Sequence, residues 1–392
     1  MNSKTLQFIS EHENDDVRSL ALQSKRHPDI DISFAVSQIA GRQIARNKIP
    51  SWYANKEIIY PPHLSLEQCS SEHTAIYKAN LCSGGTLVDL TGGLGVDFSF
   101  MSRQFNGQAV YVEQQPELAE LAKHNFDKLK LANSIVINTD AKSHLLQMDS
   151  VDTIFIDPGR RDTKGKKTVL IEECSPNIIE LDDYFDAKSR RTIIKLSPML
   201  DISAAIKHLK NISEVHVISV NNECKELLFI KDKYNQNIEP IFHCINISNS
   251  KTEKYSFTKT EESDTTARFS DKALLYLYEP NTSVMKAGAY KKLCSDFKLL
   301  KLHPNSHLYT ANEHIEDFPG RKFIVQNCIT FNKKEIKSAL TNISKANISA
   351  RNFPLSVDKI KKKISVKDGG DIYIFATTLS DNKKVLLICE KL

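Results

Sequence analysis

Apolar positions along the chain follow one period, then another. Up to residue 80 they recur at helical spacing. In DISFAVSQIAGRQIARN (31 to 47), Val36, Ile39, Ala40 and Ile44 fall on one helix face, and Ser65 and Gln68 of SLEQ form a capping box. Short apolar runs then alternate with helical stretches. Strands are expected at 86–90, 108–113, 134–139, 151–156 and 191–196, with helices such as PELAELAKHNFDKLK between them, the pattern of a parallel doubly wound α/β sheet. EVHVISV (214–220) and ELLFIKD (226–232) are separated only by NNECK, too short for the crossover that two parallel strands require. The sheet is therefore expected to close on antiparallel strands.

Two further stretches follow. Residues 236–320 hold a polar segment, TKTEESDTTARFSD, expected as a loop, then a strand, a single helix SVMKAGAYKKLC and another strand, a compact α+β connector. Residues 321–392 give strand RKFIVQNCIT, helix NKKEIKSALTNI, a short strand near NISARNF, helix SVDKIKKKI, and DIYIFATTL with KKVLLICEK as a terminal hairpin.

At 392 residues and 41% hydrophobic content, two or three domains are expected. The N-terminus MNSKTLQFISEHENDD has no apolar core of a leader, and no run of eighteen apolar residues occurs, so a soluble, cytoplasmic protein without membrane partners is expected. The eight cysteines stand at least thirteen residues apart, which draws no zinc ribbon and suggests free thiols. No metal is expected, and His303, His307 and Tyr309 in KLHPNSHLYT are read as turn and surface residues. Charge is uneven. Residues 321–392 carry fifteen Lys and Arg against six Asp and Glu, a surplus of +9, while the rest of the chain is at −4. That asymmetry favours a polyanionic partner for the tail.

The candidate chemistry centres on LVDLTGGLGVD (87–97). A dinucleotide fingerprint would need a third glycine where Phe98 stands, and a phosphate loop would need a Lys that does not follow. What remains is a loop whose missing side chains let a ligand lie against the backbone, with Asp89 at its mouth, an arrangement suited to a cationic amino-acid end.

The parallel sheet, its closing hairpin and these motifs resemble class I S-adenosylmethionine (SAM) methyltransferases, a Rossmann-like fold. The resemblance implies that Asp89, Thr91, Gly92, Gly93 and Gly95 take the methionine side of SAM, that Glu113 takes the ribose hydroxyls, and that Asp140 lies near the adenine amine. Asp157 and Pro158 stand where many nucleic-acid N-methyltransferases carry Asn/Asp-Pro-Pro-aromatic, which implies a catalytic role for both. Gly159 and Arg160 replace the second proline and the ring, so Arg160 and Arg161 are assigned to substrate, and Ser197, after the fifth strand, is placed there too. Gln68 and Ser70 are assigned to capping and helix surface. SLEQCSSEHTAIYK, DLTGGLGVD, DPGRRD, IKLSPMLDI, YLYEPN, KLHPNSHLYT, DFPGR, RNFPLSVDKI and DGGDIYIFA together are similar to bacterial class I methyltransferases with a C-terminal THUMP-like domain.

That likeness implies four segments: an N-terminal helical region 1–80, a SAM-binding domain 81–235, a ferredoxin-like connector 236–320, and a THUMP-like, RNA-binding domain 321–392. It also implies RNA, tRNA first, as substrate, with methylation of a base. Two other readings stay open: a non-catalytic RNA-binding protein that keeps SAM as a structural ligand, and a nicotinamide-dependent oxidoreductase.

Overall fold

A computed structural model describes residues 3–22, 27–61, 63–159, 170–235, 239–248 and 251–392, with the backbone alone at 63–65. The chain divides into two compact units: Met1–Glu214 with Glu226–Ile238, and Val215–Lys225 with Glu239–Leu392.

The first unit is built on β1 (Leu87–Asp89), β2 (Ala109–Glu113), β3 (Ser134–Asn138), β4 (Val151–Ile156), β5 (Ser189–Leu196), β6 (Ile212–Val220) and β7 (Glu223–Asp232). The order β3-β2-β1-β4-β5 is parallel throughout. β7 then pairs antiparallel with β5, Arg191 opposite Asp232 and Leu196 opposite Leu227. The short link at 221–222 leaves no length for a crossover, as expected from NNECK. Most of β6 and the start of β7, Val215–Lys225, count with the second unit.

Ahead of the sheet, the helix Ile32–Lys48 is capped by Asp31, which accepts from Phe34 N–H at 2.9 Å. Its buried face is not the expected one. Ile32, Ala35, Gln38, Ile39, Arg42 and Ala45 are inside, while Val36, Ala40 and Ile44 are only partly covered. Hydrophobic spacing misses this because two polar residues are buried with partners: Gln38 exchanges hydrogen bonds with Tyr60 N–H and C=O, and Arg42 meets Glu13 and Tyr53 C=O. The expected capping box at Ser65 is displaced as well. Ser65 lies inside the helix His63–Gln68, and the cap nearby is Ser71, which accepts from Thr74 N–H ahead of the helix Glu72–Ala79.

The second unit carries β8 (Ile241–Ile247) and β9 (Thr252–Phe257), an antiparallel pair. Between them and the next strand, the expected loop contains a helix, Lys259–Asp264, closed by a capping box of Thr258 and Glu261. β10 (Tyr276–Pro280), β11 (Leu300–Lys301), β12 (Tyr309–Ala311), β13 (Gly320–Thr330), β14 (Asn347–Arg351), β15 (Ile372–Thr378) and β16 (Lys384–Lys391) make one sheet of order β11-β12-β10-β13-β16-β15-β14. The single helix expected at SVMKAGAYKKLC is two, Thr282–Ala287 and Lys292–Asp296, because Gly288 turns left-handed at φ +83° and ends the first.

Alternation along β15 and β16 sends Ile374, Ala376, Leu386 and Ile388 to one face, under Ile360 and Ile364 of the helix Val357–Ile364, and Phe375 and Leu387 to the other, against Leu277, Leu302 and Phe323. β13 begins at the expected 320/321 boundary and pairs with β10, so the segments on either side of that boundary share a sheet. In a flat sheet β10 and β14 would lie four strand spacings, roughly 19 Å, apart. Arg351 of β14 nevertheless reaches Glu279 of β10, so the sheet is strongly curled. No helix among the described residues is long and apolar enough to cross a membrane.

Candidate active site

The carboxyl ends of β1, β2 and β4 open onto a cavity of about 470 Å³ in the first unit. The glycine loop forms one wall, and the fit is steric. A Cβ on Gly92 would sit 2.1 Å from the Tyr111 ring, and Gly95 caps the helix Val96–Met101 in left-handed backbone at φ +81°. Glu113, at the end of β2, pins this loop. Its Oε2 accepts from Gly93 N–H and its Oε1 from Gln115 N–H, both at 2.8 Å. Tyr111 closes the other side by donating to Gly93 C=O.

Asp89 is only 1% exposed and accepts from Thr91 N–H at 3.0 Å. Burial drives its carboxyl well above the ordinary range, against the single backbone hydrogen bond that favours the charge. Asp140 lines the cavity and also caps the helix Ala141–Gln147, accepting from Ser143 N–H at 2.9 Å; the Ser143 hydroxyl, then this N–H, hold its carboxyl below the usual range. Thr91 Oγ1 accepts from Asp157 N–H at 2.6 Å and so ties the ends of β1 and β4 together.

Beneath Asp157 lies a buried group of charges that local sequence pattern does not reveal. Lys195 Nζ donates to Asp157 Oδ2 at 2.6 Å and to Ser70 Oγ at 3.1 Å, and stands 3.4 Å from Asp97 and 4.0 Å from Glu226. Lys78, fully buried, meets Glu226 at 2.5 Å and Asp97 at 3.2 Å, and Ser70 donates to Asp97 at 2.7 Å. Burial alone would lower the Lys195 ammonium, but Asp157, Asp97 and Glu226 outweigh it and hold it well above the usual lysine value. Burial likewise opposes ionised Asp97, and Lys78 with Lys195 overrides it, leaving that carboxyl below its ordinary value. The network counts three carboxylates against two ammoniums.

Asp89, Thr91, Gly92, Gly93, Gly95, Glu113, Asp140 and Asp157 all line the cavity. Pro158 is buried beside Asp157 and is not among the lining residues. Ser197 is 7% exposed, accepts from Met199 N–H at 3.2 Å in the turn after β5, and does not line the cavity either. Arg160 and Arg161 lie outside the described residues. Gln68 and Ser70, expected as capping and surface residues, form part of the wall, and so does Lys195. One signal was available for Lys195, a charge interrupting the apolar run IIKL on an inner strand. Cys69 also lines the cavity, and burial pushes its thiol up to about 11, which disfavours the thiolate.

The sheet order, the glycine turn after β1 and the acids at successive strand ends are the architecture of a class I methyltransferase. A solved structure of a candidate methyltransferase from Porphyromonas gingivalis W83 is 32% identical to the chain, with a TM-score of 0.88 over 100% of this chain and 99% of that one. A family described as a ferredoxin-like domain matches residues 276–319, and one described as THUMP domain-like matches 320–391. A curated relative from Sulfurisphaera tokodaii, named as a cobalt-precorrin-6B C(15)-methyltransferase (decarboxylating), is 34% identical over 86 residues, 21% of this chain. The chain spans 44% of the length of that relative. The chain belongs to the bacterial class I methyltransferases that carry a C-terminal THUMP-like domain.

Proposed function

We propose that this methyltransferase uses SAM and acts on RNA, with a base nitrogen as the acceptor. The observation that carries SAM as the donor is the charge of the cleft. Among the described residues its walls hold five acidic side chains, Asp89, Asp97, Glu113, Asp140 and Asp157, against two basic ones, Lys142 and Lys195. Such a cleft suits a ligand bearing a sulfonium and an ammonium, and disfavours a dinucleotide whose pyrophosphate would face carboxylates.

The residues fit SAM. Glu113 would accept from the ribose hydroxyls with the lone pairs its two backbone donors leave, Asp140 would lie toward the adenine, and the glycine loop with Asp89 would take the amino-acid end. SAM supplies a methyl group already activated by its positive sulfur. The chain's own task is then alignment of the acceptor, which can contribute on the order of 7 to 11 kcal/mol. Lys195 fixes Asp157 through Oδ2, and among the described residues nothing donates to Oδ1, which is left to accept an N–H from the acceptor amine and then its proton. Lys195 cannot take that proton, because it is already an ammonium.

RNA is supported by the +9 surplus of residues 321–392 and by the THUMP-like match to 320–391. The test is mass spectrometry of nucleosides from a strain lacking the gene and from its parent, paired with transfer of label from SAM to that RNA by purified protein. One methylated nucleoside should disappear in the deletion strain and be restored in vitro. Identical nucleoside profiles together with no transfer would reject the reading.

A further inference from the structure

The motifs that the cleft leaves unused meet in the second unit. YLYEPN brings Glu279, DFPGR brings Arg321, RNFP brings Arg351 with Asn352, and KLHPNSHLYT brings His303. The Glu279 side chain is only 3% exposed. Arg321 places Nε, at 2.7 Å, and Nη2 on Glu279 Oε2, and Arg351 places Nε and Nη2 on Oε1 at 3.1 and 2.9 Å. One carboxylate is thus forked twice and is saturated, while the trio keeps a net charge of +1. Each guanidinium spends a single edge on it. Among the described residues neither Nη1 has an acceptor, and the two side chains are 32% and 42% exposed.

Both arginines are held in place. The Arg321 guanidinium lies over the Phe323 and Tyr373 rings, at 5.7 and 6.0 Å from their centres. Behind Arg351 the chain is locked at Asn352, in left-handed backbone at φ +52°. The Asn352 carbonyl accepts from Thr378 Oγ1 at 2.6 Å, and its side-chain amide meets His303 Nδ1 at 2.9 Å. Nδ1 also accepts from Asn305 N–H, which fixes it as the acceptor nitrogen. The local field is positive. Burial, then Lys301 and Arg351, bring His307 down to about 4.

We propose that the unused edges of Arg321 and Arg351 form a phosphate-binding site for the backbone of RNA, an inference that rests on RNA being the substrate as proposed above. Satisfying one buried carboxylate requires a single arginine. The second leaves a surplus cation, preorganised and half-exposed, whose planar donors match a phosphate oxygen pair. Among the described residues the walls of the cleft in the first unit carry more acid than base, which favours building affinity for a polyanion on further residues.

The test uses the full chain. Arg351→Gln leaves Glu279 paired with Arg321, so the fold should hold, and unchanged circular dichroism with an unchanged thermal unfolding profile of the full chain would show that it does. Affinity for a tRNA-sized RNA should fall about tenfold, and the logarithmic salt slope should drop by about one contact. Without any substitution, mass-mapped labelling with phenylglyoxal should show Arg321 and Arg351 protected by that RNA and, at millimolar concentration, by inorganic phosphate. If wild type binds RNA but the variant keeps its affinity and slope, and labelling is unaffected, the site is overturned while the RNA reading stands. If wild type binds no RNA, the RNA reading falls, and an absence of protection by phosphate overturns the site as well.

Discussion

Two ionic clusters, one in each unit and each built round a buried charge, use the same means to opposite ends. Under the cleft, Asp97, Asp157 and Glu226 surround Lys78 and Lys195, so acid is in excess. In the curled sheet, Arg321 and Arg351 share Glu279, so base is in excess. Burying ions costs several kcal/mol each, and neither cluster is explained by stability alone. What differs is the sign left over. An acidic remainder suits a cationic donor, and a basic remainder suits a polyanion. The residue types differ too: lysines, as point charges, are shared among several acids, whereas each arginine spends Nε and Nη2 on one carboxylate and keeps Nη1 free of any acceptor among the described residues.

The strongest way to break the first cluster is Lys78→Met, which strands Asp97 and Glu226 with only Lys195 between them. Unfolding in urea should show a loss of about 3 to 5 kcal/mol. Acid should act in the same direction on the wild type. Asp97 is depressed in the fold, so its contribution is present above its ordinary value of 3.8 and is lost as pH falls below it. Lys195 is raised, so its contribution is present below 10.5 and is lost as pH climbs above it. Next in size, Glu113→Ala should weaken SAM binding by about 2 to 4 kcal/mol in calorimetry, since it removes both the proposed ribose acceptor and the pin of the glycine loop. Unchanged affinity would take Glu113 out of the site.

Asp157→Asn should lower turnover by about 100-fold, roughly 2.7 kcal/mol, at nearly constant SAM affinity, because it acts on the acceptor and not on the donor. Wild-type turnover in that variant would mean that another group receives the acceptor's proton. The smallest expected effect belongs to Asp89. Its carboxyl is raised by burial and must ionise to meet a ligand ammonium, so SAM affinity should rise several-fold with pH from the acid side toward neutrality, and Asp89→Asn should flatten that rise.

Strand positions were legible because each strand of the first unit is a short apolar run with its own turn, and the NNECK spacing alone required an antiparallel close. The glycine loop and the strand-end acids were legible for a related reason, since they lie next to the strands that place them. The charge network was not. Lys78 and Glu226 are 148 residues apart and meet only through the tertiary fold. Ser197 shows the converse: the end of β5 was the right place to look, but its hydroxyl turns to Met199 N–H and the lysine two residues earlier faces the cleft. In the helix Ile32–Lys48, buried Gln38 and Arg42 defeat hydrophobic spacing because their partners, Tyr60 and Glu13, are remote in sequence.

The strand order of the curled sheet also bears on how this protein is made. β16 follows β14 and β15 in the chain, yet it lies between β13 and β15 in the sheet. A ribosome delivers β13 more than fifty residues before the strand that must lie beside it. Until residue 391 has emerged, β13 and β15 each offer an unpaired edge to whatever is nearby. Folding of this unit is therefore governed by long-range pairing and should be slow, and a nascent chain stalled at any earlier point would be a substrate for chaperones.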